Sequence, residues 1–241
     1  MTESQLRREG LCIVESPNVI ERALAGGLEP LGILCERTNI PQAQRLLATK
    51  FGDIPIFVAD KDILASITGY SLSRGIMCLM RRPESMDMAL LLSNAKRICV
   101  IYDVCDAVNV GVIFRSAAAL GYDGVILSSQ SCDPLNRRTT RVSMGGVFQI
   151  PWCRGEMITR ELRNSGFTIV STALSHESIS LEKFQINRED RFALIFGSEG
   201  YGLPADIISE SDYCVNIPMK AEVDSLNVGA AAAIILWSFR L

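Results

Sequence analysis

The chain has 241 residues, 48% of them hydrophobic and 21% charged, with a net charge of −3 and a pI of about 5.4. That composition supplies a sizeable core and excludes wholesale disorder, and the acidic balance excludes a surface coated in nucleic-acid-binding charge, though not a local basic face. No apolar run is long enough to span a bilayer, and the opening MTESQLRREGLCIV lacks the long apolar stretch of a signal peptide, so a cytoplasmic protein with no membrane partner is expected.

Eight cysteines (Cys12, Cys35, Cys78, Cys99, Cys105, Cys132, Cys153 and Cys214) are scattered without a C-x-x-C pair, and His176 is the single histidine. That is a poor ligand supply for zinc, so no metal site is expected. Most of the cysteines lie in apolar runs and read as small buried hydrophobes of a reducing compartment.

Strand-like and helical runs alternate over the first eighty residues. LCIV at 11–14 reads as a strand, and SPNVIERALAGG at 16–27 as a helix with Ser16 as N-cap and Pro17 at its first position. ILCE at 33–36 is strand-like and PQAQRLLATKFG at 41–52 helical. PIFVAD at 55–60 leads into the helix KDILASIT, and GIMCLM at 75–80 is a last strand. The stretch at 81–96 has charge and proline but no strand pattern. It divides the chain into a small α/β domain at 1–82, a linker at 83–94 and a larger domain at 95–241.

The larger domain alternates again. RICVIYD at 97–103 is a β-branched run typical of a buried parallel strand. NVGVIFRSAAALG at 109–121 is helical, DGVILS at 123–128 a strand, and GEMITRELRNSG at 155–166 an amphipathic helix. FTIVST at 167–172, FALIFG at 192–197 and YCVNIP at 213–218 read as strands, and residues 225–239 as a closing helix. The expected fold class is α/β, with a parallel sheet covered on both faces.

Ligands of such sheets bind beyond the carboxyl ends of the strands, which directs attention to three stretches. In 103–121, Asn109 is a candidate cap, and Arg115 is the one charge between Asp106 and Asp123. A lone arginine in an apolar helix needs a carboxylate, an anion or a subunit interface. In FALIFGSEGYGLP at 192–204, a strand runs into Gly197, Gly200 and Gly202 with Glu199 as the lone charge. It is neither a G-x-G-x-x-G fingerprint nor a P-loop, and alone it is weak evidence. In IPMKAEVDSLNVGAAAAIILW at 217–237, Glu222, Asp224, Ser225 and Asn227 crowd the mouth of an apolar helix, with Ser225 as its candidate cap. Together these loops offer one arginine, carboxylates, amides and backbone donors, but no histidine base. That inventory suits binding and electrostatic stabilisation better than hydrolysis by a triad.

Taken in order, the three stretches resemble the three motifs of the SpoU, or TrmH-type, RNA 2′-O-ribose methyltransferases. NVGVIFRSAAALGYDGVIL matches the first, IFGSEGYGLP the second and IPMKAEVDSLNVGAAAAIILW the third, and DPLNRRTTRVSMGGVFQIP at 133–151 is similar to the family's intervening loop. The resemblance spans 95–241. Residues 1–80 resemble, more loosely, the ribosomal-protein-like RNA-binding domain that many members carry. The resemblance implies a trefoil knot in the larger domain, S-adenosyl-L-methionine as cofactor, a homodimer, and an RNA substrate, with ribosomal RNA of the large subunit favoured over tRNA. Position by position it implies Asn109, Arg115, Glu199, Ser225 and Asn227 as catalytic residues. Thr172, Gly197, Ile217, Met219 and Leu226 fall where the cofactor is held. Two positions depart from the family pattern: Ala107 stands in place of a proline, and Gly229 in place of a serine.

The implied reaction needs stabilisation of a developing ribose alkoxide in line with an electrophilic methyl group. Arg115 suits that as a fixed cation, with an RNA phosphate or water taking the proton; deprotonation of the arginine itself is the alternative. A local basic cluster, Arg137, Arg138 and Arg141, is a candidate contact for RNA. A non-catalytic RNA-binding factor and a small-molecule nucleotide enzyme are the competing readings. The polar set argues against the first, and the missing glycine fingerprints against the second.

Overall fold

In the computed structural model, residues 1–48, 53–69, 74–175, 178–187, 190–220 and 225–240 are described. Glu222, Asp224, His176 and the end of the helix expected at 41–52 lie outside them. The chain forms two compact units, Met1–Glu84 with Pro134–Gln149, and Ser85–Asp133 with Ile150–Leu241.

The first unit runs α1 (Glu3–Arg8), β1 (Leu11–Glu15), α2 (Pro17–Ala25), β2 (Pro30–Cys35), α3 (Ile40–Leu47), β3 (Ile56–Val58), α4 (Lys61–Thr68) and β4 (Ile76–Arg81). Its sheet has the order β1-β4-β2-β3, with β4 antiparallel to both neighbours and β2 parallel to β3. Pro17 opens α2, where its missing N–H costs nothing, and Val19, Ile20 and Ala23 bury its inner face. Ser16 stands at the cap position, but its φ of 73° turns the backbone and its side chain makes no capping bond.

The second unit begins inside the stretch expected as a linker. Asp87 accepts a hydrogen bond from Leu90 N at 3.0 Å and caps α5 (Met88–Asn94), whose Leu91 and Leu92 are buried. The chain continues through β5 (Arg97–Ile101), α6 (Ala107–Ala119) and β6 (Gly124–Ser128), and then returns to the first unit as α7 (Arg137–Val142). So 134–149 groups with the small unit, although the motif order placed it in the larger domain. After it come β7 (Trp152–Gly155), α8 (Ile158–Asn164), β8 (Thr168–Thr172), β9 (Ile179–Ser180), β10 (Phe192–Phe196), α9 (Ala205–Ser209), β11 (Tyr213–Asn216) and α10 (Val228–Ser238).

The seven-stranded sheet has the order β7-β6-β5-β10-β8-β11-β9, and each pairing is parallel. The expected α/β class and parallel sheet are therefore present. β5, β6 and β10 are buried along their whole length, which is why their sequences read as continuous apolar runs. Leucines and isoleucines of α5, α8 and α9 pack one face of the sheet. On the other face α6 and α10 lie side by side, and Tyr122 donates from its hydroxyl to Leu236 O. Phe196 of β10 is level with Ile101 of β5 and Thr172 of β8, and Thr172 with Val215 of β11. The register thus brings the carboxyl ends of four strands to one height.

All eight cysteines are free. Burial pushes the Cys78 and Cys153 thiols up to about 12, and the Cys99 thiol up further. An aromatic disulfide reagent is therefore expected to modify Cys105 first in the native protein. Cys12, Cys35, Cys78, Cys99 and Cys153 should react only on unfolding; fast native reaction of more than three thiols contradicts this burial pattern.

Candidate active site

Beyond the aligned ends of β10, β8 and β11 lies a cavity of about 340 Å³. Thr172 at the end of β8, Gly197 and Glu199 after β10, Ile217 and Met219 after β11, and Ser225 and Leu226 before α10 all line it. Phe196, Leu203, Val215 and Ile235 supply much of its apolar wall. Seven of the ten site residues implied by the resemblance therefore line one cavity.

Gly197 is required by backbone crowding. A Cβ there would lie 2.5 Å from the Gly202 carbonyl carbon and 2.6 Å from both Gly202 O and Leu203 N. The loop after β10 folds back on itself: Ser198 N donates to Gly202 O at 3.2 Å, and Gly202 N to Ser198 O at 2.9 Å. Gly202 has a φ of 66°, which suits a residue without a side chain. The tight turn holds Glu199 at the rim of the cavity.

Asn227, rather than Ser225, caps α10. Its Oδ1 accepts from Gly229 N at 3.0 Å and Ala230 N at 3.2 Å. Likewise Asp106 rather than Asn109 caps α6, accepting from Val108 N at 2.5 Å. Asn109 sits in the first turn with 7% of its surface exposed, free to make tertiary bonds. The consequence is a relay in which each amide has one allowed orientation. Two backbone donors fix the Asn227 oxygen, so its Nδ2 points outward and donates to Asn109 Oδ1 at 2.9 Å. The remaining Asn109 Nδ2 then donates to Glu199 Oε1.

Gly229, where the family pattern has a serine, permits the approach of the two helices. A Cβ at this position would meet Val112 Cγ1 at 3.0 Å and Asn227 Oδ1 at 3.2 Å.

Arg115 does not join this cluster. It is exposed on α6, is absent from the cavity wall, and among the described residues has no ion-pair or hydrogen-bond partner. No structural ion pair is therefore made with it by the described residues. Val108, Val112 and Ala119 share its helical stripe, at intervals of three and four residues. The neighbouring α10 segment exposes Leu226, Ala230, Ile234 and Trp237 at the same spacing.

Tyr201, which sequence reasoning passed over, is 97% exposed at the mouth of the cavity. An aromatic inside a glycine-rich turn was the available signal. Among the described residues no group of three or more His, Cys, Asp or Glu side chains could hold a metal ion, and no helix is long and apolar enough to cross a membrane.

The profile of the SpoU rRNA Methylase family matches residues 96–237. An uncharacterized tRNA/rRNA methyltransferase of Mycobacterium bovis is 34% identical over 232 residues, covering 94% of this chain and 79% of the relative. The 23S rRNA (guanosine(2553)-2′-O)-methyltransferase RlmP of Bacillus subtilis is 28% identical, covering 99% of this chain and 92% of the relative. Among solved structures, the SpoU methyltransferase AviRb of Streptomyces viridochromogenes in complex with AdoMet superposes with a TM-score of 0.82 at 25% identity, covering 98% of this chain and 92% of that one.

Replacing Asn227 with alanine removes both capping bonds and the bond that orients Asn109. A loss of about 1 kcal/mol is expected in urea denaturation; an unchanged midpoint contradicts the capping role.

Proposed function

The chain belongs to the SpoU rRNA methylase family, and we propose that within it this protein transfers a methyl group from S-adenosylmethionine to a ribose 2′-hydroxyl of large-subunit ribosomal RNA. The observation that carries the reading is the relay from Asn227 through Asn109 to Glu199 at the rim of a cavity beyond the strand ends. RlmP, matched across nearly the whole chain, acts on 23S rRNA, which favours ribosomal RNA over tRNA. Eight free cysteines fit a cytoplasmic setting.

The cavity fits the cofactor in kind. Its size lies at the lower end for small-molecule sites, and apolar walls alternate with a few polar groups, among them Thr172, Glu199 and Ser225. Thr172, Gly197, Ile217, Met219 and Leu226 would hold the adenosyl part, and Ser225 and Glu199 mark the side open to substrate. Ile217 and Met219 on one side and Ser225 and Leu226 on the other line the cavity, and we read the third motif as belonging to the knot.

When bound, S-adenosylmethionine supplies an electrophilic methyl group on a sulfonium. The protein's task is the nucleophile. As the ribose oxygen bonds to carbon, its proton must leave and its negative charge must be stabilised. Arg115 serves as the cation for that charge, since a guanidinium holds its proton too strongly to be an efficient base. An RNA phosphate or water takes the proton. Glu199, oriented by Asn109, and Asn227 behind it position the ribose and the guanidinium.

Arg115 and Asn109 are six residues apart on α6, about 9 Å along the axis and on different faces. A homodimer resolves that separation. A second copy covering the Leu226, Ala230, Ile234 and Trp237 stripe and the adjoining face of α6 would enclose Arg115 in a shared site and bury the exposed apolar surface. Residues 1–82 are the proposed reader of RNA.

Arg115→Ala is expected to abolish transfer of labelled methyl from S-adenosylmethionine to unmodified ribosomal RNA while cofactor affinity changes little. Equal loss of both counts against a catalytic role. Gly197→Ala should instead lower affinity for S-adenosylhomocysteine at least tenfold by calorimetry, because the turn must open; wild-type affinity contradicts the placement of the cofactor.

A further inference from the structure

The turn after β10 carries more than Glu199. Ser198 and Gly202 pair across it, each donating its N–H to the other's carbonyl, so Glu199, Gly200 and Tyr201 form a three-residue tip. Tyr201 N also donates to Ser198 Oγ at 3.4 Å, which ties the tip to its own base. Two residues of chain span at most about 7 Å, so the Glu199 and Tyr201 side chains start close together. A Cβ at Gly200, between them, would meet nothing within 4 Å, so the tip is open at its centre.

Apolar side chains exposed singly are ordinary on a protein surface. Tyr201 differs in degree and in place. At 97% it is the most exposed large hydrophobic residue among the described ones, and the next, Met1 at 74%, is the first residue. It also lines the cavity read as the cofactor site, with Glu199. A ring built into the wall of that cavity is covered, as Phe196 is at 1% exposure. The Tyr201 ring instead stands in solvent at the mouth. In the proposed reaction the RNA arrives from solvent. The ribose that takes the methyl group must come to the rim where Glu199 stands, and its base comes with it. Bases outside a helix are recognised by stacking on aromatic side chains, a contact available to every base. A tyrosine makes that contact at low entropic cost, because two torsions place its ring.

We infer that Tyr201 is the platform on which the base of the target nucleotide stacks. The inference rests on the RNA methyltransferase reading and deepens it. The accepted nucleotide is one whose base has an open face, so a ribose inside a continuous helical stack is a poor acceptor.

The experiment measures steady-state methyl transfer from S-adenosylmethionine to in vitro-transcribed, unmodified large-subunit ribosomal RNA by the full-length protein, beside a calorimetric titration with S-adenosylhomocysteine. Tyr201→Ala, a change on an exposed side chain, is expected to raise KM for the RNA about tenfold, with kcat within about threefold and affinity for S-adenosylhomocysteine unchanged. Tyr201→Phe keeps the ring and loses only the hydroxyl, and should restore KM to within about threefold of wild type. An unchanged KM in Tyr201→Ala overturns the platform. Equal losses in Tyr201→Phe and Tyr201→Ala overturn it in favour of a hydroxyl contact. A tenfold fall in S-adenosylhomocysteine affinity overturns it in favour of a wall of the cofactor site. A wild-type protein that binds S-adenosylhomocysteine but transfers no methyl to this RNA overturns the underlying reading as well.

Discussion

Three distant parts of the chain meet through one line of amide hydrogen bonds. Asn227 is 118 residues from Asn109, and Asn109 is 90 residues from Glu199. The line starts at the N-terminus of α10, where two backbone N–H groups need an acceptor. From there no amide can flip without breaking a bond, so helix capping sets the direction of the group that faces Glu199. The other features of the second unit serve this line. Gly229 lets α10 approach Val112 of α6, β10 lies between β5 and β8, and Gly197 allows the turn that carries Glu199. The one buried member, Asn109, is satisfied at both its amide atoms by the two exposed ones.

The parts legible in the sequence were those governed by local rules. β5, β6, β8 and β10 announced themselves as β-branched or apolar runs because each is buried on both faces. The cavity-lining residues were legible through the order of three motifs, none of which was decisive alone. The caps were harder. Asp106 and Asn109 are chemically equivalent as caps, as are Ser225 and Asn227, and only the tertiary partners choose between them. α5 hid because a seven-residue helix has too few turns to show a period.

The basic cluster shows the same limit from the other side. Local pattern marked Arg137, Arg138 and Arg141 as one surface patch. The carboxylate that Arg137 and Arg141 meet, Glu15, is 122 residues from Arg137 and lies on another element. Long-range pairing also explains why 134–149 belongs with the small unit: α7 packs there against β1, while its sequence neighbours lie in the other unit. Arg115 and Tyr201 pose the complementary case: both side chains are exposed on this chain.

The relay can be tested by a change that preserves shape and alters only the donor. Asn109→Asp replaces the amide that donates to Glu199 with a carboxylate that repels it. The decisive quantity is the single-turnover rate of ribose 2′-O-methylation with cofactor saturating. A fall of at least a hundredfold with cofactor affinity retained is the result the account predicts. A rate within a few-fold of wild type would contradict it.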